Sequence, residues 1–168
     1  MQRRRLLVAS ASLPLAGCSV GELRTFGSVG AALAAIESLA QGHRSSGAWS
    51  LAQMLQHVAQ SIDYSIDGYP ELKSALFRGA IGRAAFAAFQ ARGKMSHALA
   101  EPIPGAPPLD ARLPLPTAIG AAAAALRRFD AHSGALAPHF AYGTLDKAEY
   151  TRAHLMHLAN HWLEVERS

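Results

Sequence analysis

An all-α fold follows from three observations on the 168-residue chain. Apolar residues recur at three- and four-residue steps, no stretch alternates at period two, and Gly and Pro cluster near the ends of the periodic stretches. Half of the residues are apolar, enough for one domain of about 150 residues with a sizeable core.

The amino terminus stands apart from that domain. MQRRRLLVASASLPLAGC has three arginines, an uncharged apolar stretch over 6–16 that is too short to span a bilayer, and small residues leading to the single cysteine, Cys18. Leu15, Ala16, Gly17 and Cys18 resemble the lipobox of bacterial lipoproteins. Cleavage before Cys18 makes 1–17 a signal peptide, leaves 18–27 as a short tether, and puts the lipid on Cys18. The expected product is an exported lipoprotein anchored to a membrane on the periplasmic side. Arg3 and Arg4, followed by Arg5, Leu6 and Leu7, also resemble a twin-arginine export motif, with Gln2 where Ser is usual. Removing the signal takes three of sixteen basic residues and no acidic one, so the formal charge falls from +4 to +1. The remaining chain has no Lys/Arg stripe interleaved with aromatics, which argues against a nucleic-acid partner. With Cys18 carrying lipid, no thiol is left for a disulfide, a zinc-thiolate site or a nucleophile.

Within the domain, 28–166, the punctuation sets the elements in order. A first helix covers 29–40 and stops at Gly42; 43–48 is a polar loop. Ser50 is the N-cap of the second, in which Leu51, Met54, Leu55, Val58, Ile62 and Ile66 form one stripe up to Gly68. An Ala-rich helical segment over 72–100, bent near Gly79, Gly82 and Gly93, leads into five prolines between Pro102 and Pro114, with Pro116 beyond. That segment is a long loop. Thr117 caps a helix to His132, and the five alanines from Ala121 to Ala125 imply close helix packing. Asp146 with Glu149 is a capping box opening the last helix, to about Glu164. No sheet is expected. The pattern is four main helices with a long crossover between the second and third.

Histidines carry the chemistry. His157 and His161 are four residues apart, so one helical turn sets both imidazoles on one face, about 6 Å apart along the axis. His57 lies on a different helix. Two imidazoles from one helix and one from another give three corners of a coordination shell with open positions, as a catalytic metal site needs. The donors suit a divalent transition ion such as Zn²⁺, Ni²⁺ or Fe²⁺. His154 shares the face of His157 but stands about 10 Å from His161 along the axis, so one ion cannot easily use both. It is read as lining the pocket. Asn160, beside His161, is a candidate to hydrogen-bond a ligand or bound water. Gln60 and Tyr64 follow His57 on its own face and are candidate pocket residues. His139, on the loop entering the last helix, is placed over the mouth of the site as a proton-transfer group near neutral pH. Asp63, Asp67, His43, His97 and His132 are assigned to the surface, and Trp49 and Trp162 to core anchors at helix ends.

These residues carry a family resemblance. WSLAQMLQHVAQSIDYSIDGYP, with Trp49, Gln53, His57 and Gly68, resembles the first half of a domain in the DinB-like superfamily, and within it domain-of-unknown-function family 1569. HFAYGTLDKAEYTRAHLMHLANHWLEV, from His139, resembles that family's second half. The resemblance implies a DinB-like four-helix bundle with an unusual crossover and a divalent metal held by His57, His157 and His161. It thus selects His161 over His154. Two positions depart from the pattern: Asn160 stands where the first of two adjacent histidines is usual, and His139-Phe140 stands where many members have His-Pro.

Two function classes follow. One is a metal-dependent enzyme; the resemblance suggests thiol transfer or hydrolysis. No Glu adjoins His157 as in HExxH, which argues against peptide hydrolysis by that route. The other is a non-catalytic lipoprotein that binds metal or a small molecule, or serves as a scaffold, as a monomer or a homodimer.

Overall fold

The computed structural model describes residues 25–168. The export signal, Cys18 and most of the tether lie outside the described residues. Four helices carry the core: α1 (Val29–Ser38), α2 (Leu51–Asp67), α5 (Leu115–Ala131) and α6 (Lys147–His161). Both α1 and α2 pack against both α5 and α6. Leu55, Val58 and Ile62 of α2 meet Ala122, Leu126 and Phe129 of α5 and Leu158 of α6 in one buried cluster. Phe26, which the sequence places in the tether, is buried edge-on to the Trp162 indole, so packing begins before residue 28. No helix among the described residues is long and apolar enough to cross a membrane.

The capping signals at Ser50 and Asp146 hold. Ser50 Oγ accepts the Gln53 N–H while Gln53 Oε1 accepts the Ser50 N–H, and Asp146 and Glu149 exchange the same pair of bonds. The third main helix begins earlier than its sequence suggests: Pro114 is the N-cap, Pro116 sits in the first turn, and Thr117 lies inside the helix. Proline fits there because its fixed φ is helical and a first-turn N–H has no partner to lose. The Lys147 ammonium reaches the carbonyls at the other end of α5, those of Phe129, Asp130 and His132, where a cation meets the negative end of the helix dipole.

A small sheet corrects the expectation of none. Strand β1 (His43–Ser45) pairs antiparallel with β2 (Val165–Arg167). Three-residue strands are too short for a period-two signal, and these two lie about 120 residues apart in sequence. The pairing ties the start of α2 to the end of α6. Asp63 and Asp67 are not merely solvated, as both bond the Arg128 guanidinium of α5.

The crossover holds the short helix α3 (Ala75–Phe77), a π-helical turn (Arg78–Gly82) and α4 (Arg83–Arg92), which ends at Gly93 in the left-handed region (φ 64°). A Cβ on Gly82 would stand 1.8 Å from the Ala141 carbonyl oxygen. The π turn is thus pressed against the loop that carries His139 and Tyr142. Gly82→Ala is expected to lower unfolding free energy by roughly 2–4 kcal/mol, because backbone on both sides must move; chemical denaturation reads this directly. The proline-rich loop lies over α2. Gln56 bonds the backbone of Asp110 twice, and Gln60 Nε2 donates to the Pro107 carbonyl.

Candidate metal centre

Helix α2 presents His57 and the last two turns of α6 present His157 and His161. Their side chains meet where α2 crosses α6. His157 Nε2 lies 3.1 Å from His57 Nε2 and 3.1 Å from His161 Nε2. Among the described residues these three are the one set whose nitrogens, within 4.8 Å of one another, could hold an ion. Nitrogens bound to a common ion at about 2.0–2.1 Å lie roughly 3.0–3.4 Å apart. Both close spacings fall in that window.

Hydrogen bonding alone does not account for this arrangement. A neutral ring nitrogen has either one proton or one lone pair, so His157 Nε2 can make a good bond to only one of its two neighbours. A single cation satisfies all three nitrogens at once. Burial, then mutual proximity, holds the rings neutral: His57 is pushed down to about 4, His161 to about 2, and His157 well below 6.5. Neutral imidazole is the form a metal binds. The residues therefore fit a divalent transition ion.

Trp49 flanks the site. Its ring centroid is 5.1 Å from that of His57, and it stacks on His161 at 6.2 Å. The sequence assigned this indole to the core, yet it is only half-buried and packs on two of the three clustered histidines. The Nδ1 atoms of His57 and His161 are buried with no hydrogen-bond partner.

His97 corrects the sequence reading more strongly. Assigned to the surface, it packs 4.9 Å from the His157 ring and 5.2 Å from the His161 ring. Its Nδ1 bonds the Ala98 carbonyl, and its Nε2 is buried without a partner. Asn160 is buried, not exposed, and its Nδ2 donates to the His97 carbonyl at 3.4 Å. That bond fastens the crossover to α6 beside His161. His97 is 60 residues from His157 and has no ligand-spaced neighbour. Its one sequence signal is its position just ahead of the proline loop.

The centre opens on a cavity of about 260 Å³ whose wall includes His57, His157, His97, Ser61, His139 and His154. His154 does line it, with Nε2 on Ser65 Oγ at 3.2 Å and its ring edge-on to Phe129. Gln60 and Tyr64 do not. Gln60 is committed to the proline loop, and Tyr64 packs against Tyr69 at 5.7 Å. His139 lines the cavity, but not as a proton carrier near neutral pH. It is buried, stacked on Tyr142 at 4.2 Å, and burial pushes it down to about 3.

No curated protein and no solved structure matches the chain. One family does match, over residues 21–168, nearly the whole chain and every histidine described above. The chain belongs to the family described as Protein of unknown function (DUF1569).

Proposed function

We propose that this chain is an exported lipoprotein whose DinB-like helical bundle binds one divalent transition metal ion through His57, His157 and His161. The observation that carries the reading is the convergence of three neutral imidazoles, with two nitrogen contacts of 3.1 Å at His157 Nε2. A bound ion would supply Lewis-acid activation of water or of a substrate thiol. The protein's own groups hold the three nitrogens on rigid helices, screen one side with Trp49, and leave His57 and His157 facing the cavity. That opening favours a metal-dependent thiol transferase or hydrolase over a closed structural site. Elemental analysis of protein purified without chelators is expected to give one transition ion per chain; finding none would sink the reading.

The lipobox at residues 15–18 supports the membrane tether. Cys18→Ser is expected to move the protein from the detergent-extracted membrane fraction to the soluble fraction. Unchanged membrane association would overturn the lipid anchor and leave the metal reading intact.

A further inference from the structure

Two histidines outside the metal set share the cavity wall, and local hydrogen bonds fix which nitrogen of each carries the proton. His139 Nδ1 accepts the backbone N–H groups of Ala141 at 3.1 Å and Tyr142 at 3.2 Å. Neutral imidazole has one donor and one acceptor, so Nε2 is the donor of His139. At His154 the logic runs through a serine. Ser65 Oγ donates to the Ile62 carbonyl at 2.6 Å and therefore presents a lone pair to His154 Nε2. His154 donates there, which leaves its Nδ1 as an acceptor.

Both rings line the same cavity, and both pack on Tyr150, at centroid distances of 6.1 and 5.4 Å. Among the described residues neither His139 Nε2 nor His154 Nδ1 has a hydrogen-bond partner, and both rings line the cavity. The wall thus offers one fixed donor and one fixed acceptor. Burial pushes each ring down to about 3, so neither brings a charge. Met95, Ile103, Phe140 and Tyr142 supply apolar surface. The two charged side chains on the cavity's edge, Lys73 and Glu101, are opposite in sign and exposed.

We infer that the cavity takes an uncharged organic molecule of about the size of a substituted benzene ring, with a head that accepts from His139 Nε2–H and donates to His154 Nδ1. A primary carboxamide is the simplest such head. A carboxylate has no hydrogen for His154, and an ammonium has no lone pair for His139. The inference names a substrate class for the site proposed above and rests on that reading for its role there, but the recognition itself needs no ion.

The test uses the full chain, metal-free and zinc-loaded, labelled with ¹⁵N-histidine. Long-range ¹H–¹⁵N spectra are expected to show protonated Nε2 and bare Nδ1 in both His139 and His154. Benzamide is expected to shift His139 Nε2 and His154 Nδ1 and to bind about tenfold more tightly than benzoate or benzylamine, as one mismatched partner in a buried site requires. The opposite tautomer in either ring, or benzoate binding as well as benzamide, overturns the inference. His139→Phe is expected to erase the preference; if that variant does not fold, the tautomers of the parent decide. Benzamide preference in a chain that binds no zinc sustains this inference and defeats the metal reading, and zinc binding without the preference does the reverse.

Discussion

His157→Ala is expected to weaken zinc binding roughly a hundred- to a thousandfold, one ligand's share of the about 10–16 kcal/mol that a four-ligand zinc site yields. His157 is the decisive position because its Nε2 contacts both other nitrogens at 3.1 Å. With it gone, His57 and His161 remain on separate helices without the nitrogen that lies 3.1 Å from each of theirs. Competition against a chromophoric chelator gives the affinity. Far-ultraviolet circular dichroism checks that the helices persist, and the melting temperature should no longer rise with added zinc. His154→Ala is the matched control on the same helix. Its Nε2 is committed to Ser65 and it stands outside the metal set, so its zinc affinity should stay within a few-fold of the parent. A large loss in the control with little in His157→Ala would move the site one turn along α6.

Acid should unfold the metal-free protein well above the carboxylate range. An exposed histidine in the unfolded chain titrates near 6.5. In the fold, burial puts His57 near 4, His139 and His154 near 3, and His161 near 2. The folded state therefore binds fewer protons between these values and 6.5, so stability is complete above about pH 6.5 and falls as pH drops from 6.5 toward the folded values. One unit below 6.5, each such group costs about 1.4 kcal/mol, and four together cost about 5–6 kcal/mol. A domain of this size has about 5–15 kcal/mol to lose. Near-ultraviolet circular dichroism of the metal-free chain should show unfolding near pH 5. Zinc should shift the midpoint downward, because it binds the folded form. A metal-free chain still folded at pH 4 would show that these rings are not buried neutral.

Much of this site can be read from spacing. The four-residue step from His157 to His161 is a property of any helix, and the Asp146–Glu149 box says where that helix starts. Likewise, the Ser50 cap and the apolar stripe place His57 on a second helix. Spacing showed only that one ion could not easily use both His154 and His161; the family resemblance chose His161. Spacing could not reveal His97 or the role of Trp49, because what defines those residues is a contact with another segment. Gln60 shows the converse failure. Its helical face agrees with His57, but its amide is claimed by the Pro107 carbonyl from a loop whose path has no periodic signature.

The sequence by itself determined the helical class, the Ser50 and Asp146 caps and the long crossover, since each follows from local periodicity or from residue chemistry at fixed spacing; the choice of His57, His157 and His161 came from spacing together with the family resemblance. Only the tertiary structure decided that the three imidazoles meet with their nitrogens within 4.8 Å of one another, a set that could hold an ion. It also decided that the β1–β2 pairing ties the ends of α2 and α6, and that His97, His139 and His154 surround the opening. Those outcomes depend on how segments tens of residues apart pack and shed water together, and no local pattern encodes that distance.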